Sequence, residues 1–96
     1  MNTRKVEINS KAIKDIKRLP KHIVINLRTW IATVSKIGLL QTRKLKGYHD
    51  EPLHGDRKGQ RSVRLNKAYR AIYKQHDNGN IELNYIEVIE VNKHKY

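Results

Sequence analysis

The feature that most restricts how this chain folds is Asp77-Asn78-Gly79-Asn80, set between two stretches of alternating polarity. Asn-Gly in that setting specifies a two-residue type I′ hairpin, because both central residues of that turn need positive φ. With Asn78 and Gly79 central, Asp77 pairs with Asn80 and the strand register follows. One strand is Tyr69 to Gln75, the other Ile81 to Val91, with Arg70 opposite Glu87, Ala71 opposite Ile86 and Tyr73 opposite Asn84. Tyr69, Ala71 and Tyr73 then share one face; Arg70, Ile72 and Lys74 share the other. The later strand has apolar residues of both parities: Leu83, Tyr85, Ile89 and Val91 against Ile86 and Val88. It is either a central strand buried on both faces or carries a bulge near Ile89.

The remaining elements fall into place around this hairpin. Arg4 to Ile8 alternates and reads as a short strand. Ser10 is a suitable N-cap for a helix with Ala12, Ile13, Ile16 and Leu19 at helical spacing, closed by Pro20. A longer helix runs from about Lys21 to Lys36, with the stripe Ile23, Val24, Leu27, Trp30, Ile31, Val34 and Ile37 facing a sheet. Gly38 is its expected stop. Residues 39–59 read as a long, basic, irregular connection, of the kind that carries function or is disordered. Gln60 to Leu65 alternates again, Val63 and Leu65 against Ser62 and Arg64, and Asn66-Lys67 is a turn. The order is β-α-α-β-β-β. It specifies an α+β domain, with a helical hairpin packed on one face of a four-stranded, mostly antiparallel sheet. The opposite face is expected to be concave, open and lined by Arg64 and Arg70.

Length and charge bound the function. The 96 residues suffice for one domain, 1–96. Lys and Arg number 21 against 9 Asp and Glu, a formal charge of +12. That surplus favours an anionic partner, most simply nucleic acid, over a merely soluble basic protein. There is no cysteine, so disulfides and thiolate metal sites are excluded. No apolar run reaches the length of a membrane span and the N-terminus lacks a signal-peptide core, so a cytoplasmic location without membrane contact is expected.

Within this frame, the stretch Asp50 to Arg70, DEPLHGDRKGQRSVRLNKAYR, concentrates the candidate chemistry. Glu51, beside Pro52, is a carboxylate in cationic surroundings, suited to act as a general base; its plain alternative is a surface ion pair with a lysine. Arg64 and Arg70 can hold phosphate bidentately, or simply form a solvated face in which Arg70 pairs with Glu87. His94, in the C-terminal NKHKY, can protonate a leaving alkoxide, although a histidine in a chain terminus is commonly inert. Tyr96 can stack on a base or pack. His49, His54, His76 and His94 lack the spacing and acidic or cysteine partners of a zinc site, so neither metal nor other cofactor is expected.

The run EPLHGDRKGQRSVRLNKAYRAIY, with the terminal NKHKY, resembles the RelE/HigB/YoeB superfamily of bacterial type II toxins, over about half the chain. The resemblance implies a RelE/ParE-like fold and a small endoribonuclease that cleaves mRNA in the ribosomal A site, silenced by a cognate antitoxin. Its partners would be that antitoxin, the 70S ribosome and mRNA. Glu51 matches the carboxylate of the E-P-L-K pattern of YoeB-like toxins, with His54 standing where the pattern has lysine. HigB-like members carry histidine at the position of Glu51. Arg64 matches the arginine after the glycine turn, Arg70 the one before an L-V-Y-like stretch, and His94 the terminal histidine. Lys95 stands where YoeB ends in tyrosine, and Tyr96 is displaced by one. The implied catalytic set is Glu51, Arg64, Arg70 and His94, and the implied RNA-binding set His54, Arg57, Lys58, Arg61, Lys95 and Tyr96. Two other readings are a ParE-like inhibitor of DNA gyrase without nuclease activity, and a basic RNA-binding module without catalysis.

Overall fold

The structure, a computed structural model, describes residues 4–89. His94, Lys95 and Tyr96 of the expected site, and the end of the last expected strand, lie outside the described residues.

The chain opens with strand β1 (Val6–Ile8) and helix α1 (Ser10–Lys17). The N-cap is Asn9 rather than Ser10: its side-chain oxygen accepts from the Ala12 N–H at 2.9 Å. The same side chain donates to Glu82 at 3.1 Å, and the Asn9 N–H donates to the Leu83 carbonyl at 3.1 Å. One residue thus satisfies a helix start and ties it to a strand, a double duty that the shorter Ser10 side chain does not meet.

Helix α2 (Lys21–Ile37) follows Pro20, and its apolar stripe buries Ile23, Leu27, Trp30 and Val34 against the sheet. The Trp30 and Tyr73 rings meet at 5.3 Å. Gly38, at φ 86°, ends the helix as expected and donates its N–H to the Val34 carbonyl at 2.8 Å.

The segment expected to be irregular contains a short helix α3 (Leu39–Arg43), 3-10 turns at Lys46–Tyr48 and Gly55–Arg57, and strand β2 (Glu51–Pro52). Helix α3 is held by burial of Leu39 and Thr42, whose hydroxyl donates to the Gly38 carbonyl at 2.7 Å. Elements of five and two residues are too short for a periodicity to show.

Strands β3 (Gln60–Arg64), β4 (Tyr69–Gln75) and β5 (Ile81–Val88) complete a five-stranded sheet in the order β1-β5-β4-β3-β2. The α+β class stands, with one strand more than the four expected. β1 runs parallel to β5 and the other pairings are antiparallel. The Asn66 side chain closes the β3–β4 turn by accepting from the N–H groups of Ala68 and Tyr69.

The hairpin differs from expectation in an instructive way. The His76 N–H donates to the Asn80 carbonyl, and the Gly79 N–H to the His76 carbonyl, each at 2.8 Å. The loop is therefore the three residues Asp77 to Gly79. Only Gly79, at φ 95°, takes the left-handed conformation there, and Asn78 does not. This is the three-residue, bulged alternative to the type I′ turn. It offsets the register by one residue, so Tyr73 lies opposite Leu83 rather than Asn84. The offset is cancelled where Ile72 pairs with Tyr85 and Tyr73 with Leu83, leaving Asn84 unpaired as a β-bulge. Beyond the bulge, Ala71 faces Ile86 and Arg70 faces Glu87, as expected. The bulge is at Asn84 rather than near Ile89, and it explains the mixed parity of β5. Before it, Ile81 and Leu83 face the helices; after it, Ile86 does. β5 is also central in the sheet, between β1 and β4.

Candidate nucleic-acid interface

Cross-strand partners point to the same face of a sheet, so the register assembles the face away from the helices in rows. Arg64, Arg70 and Glu87 form one row across β3, β4 and β5. The next row is Glu51, Ser62, Ile72 and Tyr85, on β2 to β5. Glu51 is exposed and diagonal to Arg64 on the neighbouring strand, a separation of about 7–8 Å at the backbone. Strand spacing and rise put Glu51 and Arg70 roughly 12 Å apart at Cα, within joint reach of two long side chains.

Arg64 and Arg70 are directly opposite each other on adjacent strands. Like charges so placed repel, and Glu87 on the next strand of the row offsets the repulsion. Arg70 Nε donates to Glu87 Oε1 at 2.7 Å. Arg57 reaches the same carboxylate from the 3-10 turn, with Nη1 at 3.1 Å from Oε2 and 3.2 Å from Oε1, and also donates to the Tyr85 hydroxyl at 3.2 Å. Burial acts to raise the Glu87 pKa, but the hydrogen bonds and charge of Arg70 and Arg57 prevail and hold it below the usual carboxylate range. The Tyr85 and Glu87 contacts keep Arg57 firmly protonated. Arg64 is exposed and makes no ion pair among the described residues. It also borders a cavity of about 310 Å³ shared with Asn26, Thr29, Leu45, Tyr48 and Leu65.

This face is not fully open. Arg57 crosses it to meet Tyr85 and Glu87, so the 53–59 segment lies over part of it. Ile72 and Ser62, on this face, are 0% and 3% exposed. The apolar Ile72 on an otherwise polar face is the sequence sign of that covering.

The other expected site residues divide. His54 and Lys58 flank the 3-10 turn carrying Arg57 and are exposed. Arg61 is not brought to this face: paired with Tyr73 across β3 and β4, it points to the helix side and donates to Asp50 Oδ1 at 2.6 Å. Asp50 is nearly buried, with its side chain 1% exposed, and its other oxygen accepts from the Tyr73 hydroxyl at 2.6 Å. Burial, then the Asp50 charge, push the Tyr73 phenol well above its usual pKa. Strand alternation thus anchors Asp50 beneath the sheet and presents Glu51 on the opposite side. Sequence reasoning missed Asp50 and Tyr85, and placed Glu87 opposite Arg70 only as a structural pair. The spacing of Arg70 and Glu87 about the hairpin was the signal for that pairing.

No protein-family model matches the chain, and no curated protein matches its sequence. Solved structures do match. The Escherichia coli DinJ-YafQ toxin-antitoxin complex contains a chain with TM-score 0.69 and 22% identity, the match covering 90% of this chain and 93% of that one. The archaeal RelE-RelB complex from Pyrococcus horikoshii gives 0.68 at 18% identity, over 88% and 92%. The YoeB/ParE toxin from Agrobacterium tumefaciens gives 0.68 at 19% identity, over 90% and 99%. The chain has the fold of the RelE, YafQ and YoeB toxins.

On this RelE-like fold, the Arg64–Arg70–Glu87 row, the Arg57 turn and Glu51 occupy one end of the face opposite the helices. Among the described residues, no helix is long and apolar enough to cross a membrane, and no three His, Asp or Glu side chains are grouped to hold a metal ion.

Proposed function

We propose that this chain is the toxin of a type II toxin–antitoxin pair and a ribosome-dependent endoribonuclease that cleaves mRNA without a metal. The observation that carries the reading is the Arg64–Arg70 pair, two arginines at directly opposite strand positions on the face that also presents Glu51. A repelling pair of cations is relieved by an anion bound between them, and a phosphodiester in its transition state carries the extra charge that such a site favours.

RNA brings its own nucleophile. Glu51 takes the proton of a 2′-hydroxyl, the 2′-oxygen bonds to the adjacent phosphorus, and the bond from phosphorus to the 5′-oxygen breaks. Arg64 and Arg70 stabilise the charge on the phosphorus-bound oxygens. The departing 5′-oxygen is protonated, a role assigned to His94. The products carry a 2′,3′-cyclic phosphate and a 5′-hydroxyl. His54, Arg57 and Lys58 bind the RNA backbone beside this centre, and Lys95 and Tyr96 extend the contact. Work in the ribosomal A site in the cytoplasm follows from the resemblance, and the surplus of lysine and arginine suits ribosomal RNA.

An acidic antitoxin that covers this cationic face is the matching partner. The similar DinJ-YafQ structure is a toxin-antitoxin complex, and the archaeal RelE is in complex with RelB.

The chemistry is tested on the products of cleavage. Kinase labelling without prior phosphatase treatment marks a 5′-hydroxyl, and acid treatment opens a cyclic phosphate. Fragments with 5′-phosphate and 3′-hydroxyl ends would rule out attack by the 2′-hydroxyl.

A further inference from the structure

We propose that Glu87 is a placeholder for a substrate phosphate: in the free protein its carboxylate occupies the anion seat between Arg57 and Arg70, and RNA displaces it. The inference rests on the phosphodiester reading given above and adds a residue that regulates access to that site.

Two cations contact one acid here, with a third arginine at the neighbouring strand position. Arg64 and Arg70 oppose each other directly, and Arg70 and Arg57 both donate to Glu87. Glu87 Oε1 accepts from both guanidiniums and Oε2 from Arg57 alone. A carboxylate and a phosphodiester each offer a pair of oxygens sharing one negative charge, so donors that fit one fit the other. The Tyr85 hydroxyl holds Arg57 from the side at 3.2 Å, so the guanidinium retains one contact when the carboxylate leaves.

The exchange is feasible because the group is accessible. The Arg57, Arg70 and Glu87 side chains are 37%, 25% and 30% exposed, so water and a ligand reach all three. Arg57 is on a short turn over the sheet rather than in a strand, which lets it follow an incoming phosphate. The second arginine, brought in from a loop to the same acid, leaves two donors converging on one anion position.

Displacement makes RNA binding weaker than the cation count implies, because one acid competes with phosphate. Glu87→Gln keeps the shape and one hydrogen-bond acceptor but removes the competing charge. The probe is a labelled single-stranded RNA with every 2′-hydroxyl methylated, so that nothing is cleaved, and anisotropy is followed across a salt series. Glu87→Gln is expected to bind about tenfold tighter at low salt, because the same phosphate contact forms in both proteins and only the wild type must first release its carboxylate. In an Arg57→Ala background most of that gain should vanish. Unchanged or weaker binding by a folded Glu87→Gln overturns the proposal.

Should Glu87→Gln fail to fold, the wild type supplies a second measurement. Inorganic phosphate, against chloride at matched ionic strength, should shift the Nε–H resonances of Arg57 and Arg70 together; unmoved resonances overturn the proposal. Neither readout depends on cleavage. Loss of the nuclease reading leaves this result standing, and failure here with cleavage intact removes only the role of Glu87.

Discussion

Replacing Asp50 with asparagine tests the anchor beneath the site. The Asp50 side chain is 1% exposed and accepts from Arg61 and Tyr73, each at 2.6 Å, while Arg61 is 26% exposed. Breaking a buried ion pair from one side costs about 3–5 kcal/mol, because the remaining charge is left without a partner. Two features reduce that figure. Arg61 retains some water, and asparagine still accepts from the Tyr73 hydroxyl. The expected loss is about 2–4 kcal/mol. Against the roughly 5–15 kcal/mol that holds a small domain together, that is a large share. It should lower Tm by roughly 10–25 °C for a chain of this size. Urea unfolding monitored at Trp30 should show a lower midpoint with an unchanged slope. The burial asymmetry adds a second, sharper expectation: Arg61→Met should cost more than Asp50→Asn, since it strands the more buried partner. A loss below about 0.5 kcal/mol for Asp50→Asn, or a milder Arg61→Met, would refute the reasoning.

Two further expectations concern acid and the hairpin. Asp15 and Glu87 are buried in part, which raises their pKa values, but hydrogen bonds (Lys11 and the Ile86 N–H for Asp15, Arg70 and Arg57 for Glu87) more than offset this; Glu82 is lowered chiefly by its bond from His76. Groups with depressed folded pKa values contribute stability above their unfolded values, near about pH 4, and lose it as pH falls through the folded values; urea midpoints should therefore fall below about pH 4, and less steeply in Asp15→Asn. Gly79→Ala, forced to φ 95°, should cost about 1–2 kcal/mol, while Asn78→Gly should give no gain, because Asn78 does not occupy a positive-φ position; a gain there in urea unfolding would restore the two-residue turn.

The parts of the fold legible in the sequence were those with a repeating signal. The α2 stripe, the stop at Gly38 and the pairing of Arg70 with Glu87 follow from side-chain periodicity and turn chemistry. What escaped had no period. A two-residue strand such as Glu51–Pro52 leaves no alternation, and α3 is scarcely more than one turn. The hairpin loop was misread because Asn-Gly suits two turns that differ by one residue. The Asn84 bulge then cancelled the error, so the distal register was right for an incomplete reason. In the site, Arg64 and Arg70 were legible because strand parity places them on one face. The Asp50–Arg61–Tyr73 cluster was not, because it joins the 50–61 hairpin to β4 through contacts that no local pattern encodes. Arg61, in the RNA-binding set that the resemblance implies, is turned the other way by the pleat.

Glu51 and the opposed arginines are proposed to form the ribonuclease centre. It is tested most directly by incubating a defined mRNA with and without programmed 70S ribosomes, using wild type beside Glu51→Ala and Arg70→Ala. Wild type should make ribosome-dependent cuts, slowed by about 10²–10³-fold in each variant, with folding verified by circular dichroism. Intact mRNA with folded wild-type protein, or variants that cut at the wild-type rate, would contradict it. The first of these outcomes would direct attention to DNA gyrase supercoiling.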